Sequence, residues 1–150
     1  TADANGNAFK IVPHTDGRLD AYKGSTLIGF NGLKRVTEKT ADYTVKESDC
    51  GTYFIANHAT VLVNFTLPTV TNCPSGMWFT FTNVGAAGMK ITSDPADKLV
   101  VGNDAAADSI SYATTAEIIG WSCEVFTDGA LWYVRNNLAL EAYTATVVTA

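Results

Sequence analysis

The chain has 150 residues, 47% hydrophobic and 17% charged, the composition of a single folded domain and not of a disordered segment. Its net charge of −5 excludes non-specific binding to DNA or RNA, whose phosphates demand Lys and Arg. No apolar run reaches the ~20 residues of a membrane-spanning helix, and the stretch from Thr1 to Asn7 lacks the basic and apolar regions of a signal peptide.

Residues 1–39 stand apart from the rest of the chain. They hold six basic residues (Lys10, Arg18, Lys23, Lys34, Arg35, Lys39) against four acids (Asp3, Asp16, Asp20, Glu38), a net of +2. Residues 40–137 carry four basic against ten acidic groups, a net of −6, and Glu141 supplies the remaining −1. Five glycines, Gly6, Gly17, Gly24, Gly29 and Gly32, interrupt the apolar pieces at residues 9–12 and 27–30. Short strands or extended segments between turns are expected there. Such a segment buries too little to offset an ordering cost of about 1–2 kcal/mol per residue, so it reads as an arm that packs on a partner. Its candidate interface residues are Phe9, Ile11, Val12, Tyr22, Leu27, Ile28, Phe30 and Leu33.

From residue 40 onward, turns recur about every 8–12 residues, the spacing of an all-β sandwich or barrel. Residues 43–45 are β-prone and close on Ser48-Asp49-Cys50-Gly51; residues 52–56 come next, then a loop at 57–59. Residues 61–67 alternate with the odd positions inward until Pro68, which cannot donate to a ladder. Pro74-Ser75-Gly76 turns into residues 77–82, and Gly85 and Gly88 bracket the turn into 89–92. Residues 97–102 and 109–112 complete the series. Only Ala105-Ala106-Ala107 and the Ala-rich tail have helical character.

The stretch 117–135 reads as a hairpin. Ile119, Trp121, Cys123 and Val125 share one parity, with Ser122 and Glu124 between them. Thr127-Asp128-Gly129-Ala130 supplies the turn, and residues 131–134 return as a second apolar strand. Trp121 and Trp132 are expected to be largely buried, since aromatic side chains of this size offer about 150–250 Å² each. A lone hairpin is marginally stable, so this one must lie on a larger sheet.

Motifs for chemistry are sparse. His14 and His58 sit in loop-like surroundings with no spaced Ser, Asp or Glu partner, and there is no phosphate loop or nucleophile elbow. Cys50, Cys73 and Cys123 are odd in number and unevenly spaced, and read as reduced, mostly buried thiols. Asp94, Asp97, Asn103, Asp104 and Asp108 could supply oxygen ligands to Ca²⁺, but the spacing is not that of an EF-hand and Asp is an ordinary turn residue. Asn64-Phe65-Thr66 is formally a glycosylation acceptor lying mid-strand. The aromatics Trp78, Phe79, Phe81, Trp121, Phe126, Trp132 and Tyr133 belong mostly to the core by alternation, and an exposed minority could form a sugar platform.

One constellation is more specific. Thr40, Tyr43, Val45, Gly51 and Phe54 are succeeded by Phe65-Thr66-Leu67-Pro68, Pro74-Ser75-Gly76 and Phe79-Thr80-Phe81-Thr82-Asn83. Lys90-Ile91-Thr92, Asp97-Lys98-Leu99, Phe126-Thr127-Asp128-Gly129 and Trp132-Tyr133-Val134 continue it. Together these residues resemble a β-module of tailed-bacteriophage virion proteins, of the kind in capsid decoration proteins, head fibres and tail-fibre tips. The resemblance covers residues 40–137, departs from the usual pattern at Cys50 and Cys73, and does not extend to residues 1–39.

The expectation is therefore an all-β protein: an antiparallel β-sandwich or barrel-like module over 40–137, an extended N-terminal arm over 1–39 and a C-terminal extension over 138–150. The resemblance implies a non-enzymatic capsid decoration (cement) protein, a homotrimer on the major capsid protein, made in the host cytoplasm and placed on the virion surface. No cofactor, metal, nucleic acid or membrane is expected. The alternative is a receptor- or glycan-binding module of a tail fibre.

Overall fold

The computed structural model describes residues 9–13, 19–23, 26–31, 34–94, 98–112, 119–136 and 146–148. The first three strands, β1 (Phe9–Pro13), β2 (Leu19–Lys23) and β3 (Thr26–Asn31), form a three-stranded antiparallel sheet of their own. The chain then winds between two further sheets. Strands β4 (Arg35–Lys39), β6 (Thr52–Ala56) and β8 (Trp78–Asn83) lie in one, and β5 (Tyr43–Thr44), β7 (Val63–Thr66) and β9 (Met89–Thr92) in the other.

Successive strands therefore fall on opposite sheets, and neighbours within a sheet run in the same direction. β4, β6 and β8 pair parallel, as do β5, β7 and β9. Parallel strands need a long crossover, usually a helix. Here each crossover is itself a strand of the facing sheet.

The winding ends after β9. Strands β10 (Leu99–Val101) and β11 (Asp104–Ala107) make an antiparallel pair at one edge, and β12 (Ser109–Tyr112) runs antiparallel beside β9. The hairpin β13 (Ser122–Thr127) and β14 (Trp132–Asn136) inserts between β8 and β10, and β15 (Thr146–Val148) pairs with β12. The result is a seven-stranded sheet, β11-β10-β14-β13-β8-β6-β4, facing a five-stranded one, β15-β12-β9-β7-β5. The expected all-β sandwich is present. Its strands are not uniformly antiparallel, because a spacing that sends each new strand across the core returns the next one in the original direction.

The core lies between these sheets. Alternation turns Thr52, Phe54 and Ala56 inward from β6, Val63 and Phe65 from β7, and Cys123, Val125 and Thr127 from β13. Phe54 meets Phe65 across the gap with ring centroids 5.5 Å apart, and Phe65 meets Phe81 at 4.9 Å. Trp132 is fully buried, 5.9 Å from Phe79, and its indole N–H donates to the Pro68 carbonyl at 3.3 Å. Pro68 thus ends the β7 run and also supplies the acceptor that a buried indole requires. Trp121 is buried as expected. Two positions depart from the parity reading: Ile119 is exposed because it sits in the turn before β13, and Val61 because β7 starts at Val63. Gly85, a turn glycine by sequence, is also a close-approach residue, since a Cβ there would collide with the backbone N and O of His58.

Strand β4 moves the expected boundary between arm and sandwich. Composition assigns residues 35–39 to the arm, yet they pair along their whole length with β6. Arg35 donates through Nε to Thr52 Oγ1 (2.7 Å) and through Nη2 to the Ser48 carbonyl (2.9 Å) and Asp49 Oδ1 (3.4 Å). Asp49 also accepts from the Tyr43 hydroxyl (2.9 Å) and the Lys46 N–H (3.0 Å). Burial and this hydrogen bond to Asp49 push the Tyr43 phenol up from its ordinary value. Lys34 donates to the Tyr53 hydroxyl at 2.6 Å, and Lys39 sits 3.5 Å over the Tyr43 ring. The net +2 ascribed to the arm is therefore the contribution of Lys34, Arg35, Glu38 and Lys39, which fasten the first coil of the sandwich. Residues 1–33, with Lys10, Arg18 and Lys23 against Asp3, Asp16 and Asp20, are neutral.

These contacts set two expected outcomes for stability. Trp132→Ala should lower stability by about 3–5 kcal/mol in urea denaturation, as for other buried aromatics, and an unshifted midpoint would contradict its place in the core. Asp49→Ala leaves the Tyr43 hydroxyl and the Lys46 N–H without their acceptor and removes one of the three acceptors of Arg35, and should cost about 1–3 kcal/mol by the same measurement.

Candidate functional site

The N-terminal sheet carries the candidate interface residues, and its register separates them. Phe9, Ile11 and Val12 lie on β1, Tyr22 on β2, and Leu27, Ile28 and Phe30 on β3; Leu33 lies outside the described residues. Ile11 stands opposite Ala21, Val12 opposite Asp20, and Tyr22 opposite both Lys10 and Leu27, while Phe30 pairs with Asp20. Burial differs between the two sides of the β1–β2 hairpin. Val12 and Tyr22 are half-buried beside the buried Asp20, whose Oδ2 accepts from the Tyr22 hydroxyl at 3.3 Å. On the other side Ile11 is 57% exposed and Leu19 40% exposed, and Pro13, opposite Leu19, is exposed as well. Ile11, Pro13 and Leu19 thus make an apolar row facing solvent. Composition alone does not single out Pro13 and Leu19; strand alternation on either side of residues 14–18 is the signal that could have found them.

The two outer faces of the sandwich differ in chemistry. The five-stranded sheet presents Thr44, Thr66 and Thr92 in one register row and Asn64, Lys90 and Ser111 in the next. Thr92 donates to Asn64 Oδ1 at 2.7 Å and the Asn64 amide lies 3.3 Å from Thr66 Oγ1, so the formal glycosylation asparagine is already engaged on both ends. The seven-stranded sheet presents aromatics. Val36, Tyr53, Thr80, Glu124 and Arg135 form one row across it, and Trp78, Phe126, Tyr133 and Val100 the next. Tyr53 meets Trp78 edge-on at 6.3 Å, and Phe126, 37% exposed, stacks on Tyr133 at 5.4 Å. The Lys34 hydrogen bond pulls the Tyr53 phenol below its ordinary value against the opposing effect of burial. Of the aromatics weighed for a sugar platform, Phe79, Phe81, Trp121 and Trp132 are core, and Trp78, Phe126 and Tyr133 are on this outer face. Tyr53 joins them.

The remaining polar candidates serve local structure. Asp94 accepts from the Thr69 hydroxyl at 3.2 Å, Asp104 from the Ala106 N–H at 2.8 Å, and Asp108 is bridged by Lys98. Asp97 and His14 lie outside the described residues. Among the described residues no three His, Cys, Asp or Glu side chains converge as a metal site. Cys50, Cys73 and Cys123 are not joined in disulfides; the last two are buried, and the Cys73 thiol donates to the Thr69 carbonyl at 3.5 Å. No helix among the described residues is long and apolar enough to cross a membrane.

No protein-family model matches the chain, and no curated protein is significantly similar to it.

Asp128 organises the tip of the β13–β14 hairpin beside the aromatic face. Its Oδ1 accepts from the N–H groups of Ala130 (2.8 Å) and Leu131 (2.9 Å), and its Oδ2 accepts from the Tyr133 hydroxyl at 2.8 Å. The N–H of Leu131, then that of Ala130, then the Tyr133 hydroxyl hold the carboxyl below its ordinary value. The same bond holds the Tyr133 phenol above its own. A depressed carboxyl contributes order that is present above its unfolded value, about 3.9, and is lost as the pH falls through the folded one. Acidification below about pH 4 should therefore shift the amide resonances of Ala130 and Leu131 and the ring resonances of Tyr133 together, and Asp128→Ala should abolish that transition.

Proposed function

We propose that the chain is a non-enzymatic structural protein of a bacteriophage virion, a decoration protein that attaches to the major capsid protein through its N-terminal sheet and faces solvent with its acidic sandwich. The observation that carries this reading is the exposed apolar row Ile11, Pro13 and Leu19 on a sheet separate from the sandwich. A surface built of exposed aliphatic side chains on a separate element suits docking, where each such side chain fully buried is worth about 1.5–3 kcal/mol. Because residues 1–33 are neutral, attachment by this route depends on apolar and backbone contacts, and salt should weaken it little. The resemblance to virion β-modules supports the same assignment, and trimerisation at a local threefold axis of the capsid comes from that resemblance.

A second reading, a receptor- or glycan-binding module of a tail fibre, is favoured by the aromatic outer face of the seven-stranded sheet. The two readings assign the work to different surfaces. The double variant Ile11→Glu/Leu19→Glu alters the N-terminal sheet alone and should keep the circular dichroism and melting temperature of the parent. It should fail to bind heads stripped of the protein, at low and at high salt alike. Normal binding by this variant would move the attachment off the N-terminal sheet, and recovery of the parent protein with tails instead of heads would favour the glycan or receptor reading.

A further inference from the structure

The loop between β6 and β7 contains a turn closed by a histidine. His58 Nδ1 accepts from the backbone N–H groups of Thr60 (3.1 Å) and Val61 (2.8 Å). These are the second and third residues after it, and the pattern is the one Asp128 makes with Ala130 and Leu131. Asp104 makes the first of the two bonds with Ala106. In this fold His58 thus occupies the place of an Asx residue, whose short side chain normally closes such turns. The chemistry differs in one respect. An imidazole nitrogen can accept only while it carries no proton, so the ring here is the tautomer protonated at Nε2.

We propose that His58 makes this turn a pH-sensitive element: a proton on Nδ1 releases the N–H groups of Thr60 and Val61 and reorders the segment that carries Val61. Protonation converts the acceptor into a third donor facing two others, and the arrangement cannot persist. The turn is closed while the ring is neutral and open once Nδ1 carries a proton. Both N–H groups lie at exposed positions, so water replaces the lost acceptor and the change stays local. The base of the loop is held independently of the ring. The His58 carbonyl accepts from Ala87 N–H at 3.2 Å, and Gly85 packs directly on the His58 backbone.

The charged groups on the surrounding elements are few. At the end of β4, Glu38 accepts from the Asn57 amide at 3.2 Å, and Lys39 accepts from Asn57 N–H through its carbonyl while its ammonium covers Tyr43. On the β5 and β7 side Asp42 accepts from Asn64 N–H at 2.8 Å, and Lys90 stands opposite Asn64. Residues 84–88, against which the loop packs, contribute no ionisable side chain. The element that moves carries Val61, 59% exposed, at the end of the released turn. The pH of the medium thus sets the conformation of an apolar side chain at this end of the sandwich.

The test is a pH titration of the full chain by heteronuclear NMR, from about pH 8 to about pH 5, beside the variant His58→Asn. Asparagine retains an acceptor at the Asx position and does not titrate. In the parent, the amide resonances of Thr60 and Val61 should move with the same midpoint as the His58 ring, and their protection from exchange should fall about tenfold. In the variant the turn should be present at the alkaline end, and both resonances should stay still. Amides that ignore the ring's titration in the parent would overturn the proposal. So would equal movement in the variant, or a variant whose turn is already open at the alkaline end.

Discussion

The structure depends on one constraint: strands that pair parallel without helices must be separated by a trip across the core. Each of β4, β6 and β8 reaches its neighbour only after the chain has laid down β5 or β7 in the facing sheet. The parallel ladders β4-β6-β8 and β5-β7-β9 therefore depend on each other's strands for their connections. The Phe54, Phe65 and Phe81 cluster is the physical expression of this dependence, since Phe65 comes from one sheet and the other two from its partner. Non-local pairing of this kind delays the reward for loop closure and predicts slow folding relative to a helical domain of the same size.

A winding of coils has an end, and the end is where backbone edges lie open. At β4 the sequence answers with charge. Arg35, Glu38 and Lys39 lie on an edge strand, where an unprotected row of N–H and C=O groups invites pairing with another chain. A second β4 laid antiparallel about Thr37 would place Arg35 opposite Lys39, a like-charge pair that disfavours such association. The same cations turn inward for stability, Arg35 through Thr52, Ser48 and Asp49, and Lys39 through the Tyr43 ring. One short strand thus closes the first coil and guards the edge, which leaves interaction to the surfaces beyond it.

Much of this architecture is legible in the sequence, and the parts that are not have physical reasons. Alternation locates β7 and β13 and predicts burial of Phe65 and Trp121, because a half-buried strand prints its period of two on the chain, and the size of Trp132 within the hairpin predicts its burial too. Strand direction is invisible, since β6 and β8 read the same whether parallel or antiparallel. The boundary expected at residue 39 is misplaced for a different reason. Lys34, Arg35 and Lys39 look like surface charge in composition, and only the fold reveals that they face Tyr53, Asp49 and Tyr43. The candidate interface is legible as a segment and not as a surface. Ile11 lies in the exposed row while Val12 and Tyr22 lie on the other side of the hairpin, and a hydrophobic list cannot separate them without the register.

The sandwich, then, begins at β4 and is fastened there by Arg35 and Asp49. Two truncations measured side by side by urea denaturation test this most directly, one starting at Lys34 and the other at Thr40. The chain from Lys34 is predicted to unfold in a single cooperative transition. The chain from Thr40 should be clearly less stable, by about 1.5–3 kcal/mol for the charged contacts of Arg35 alone. Equal midpoints for the two would contradict this placement of β4, and would return residues 34–39 to the arm.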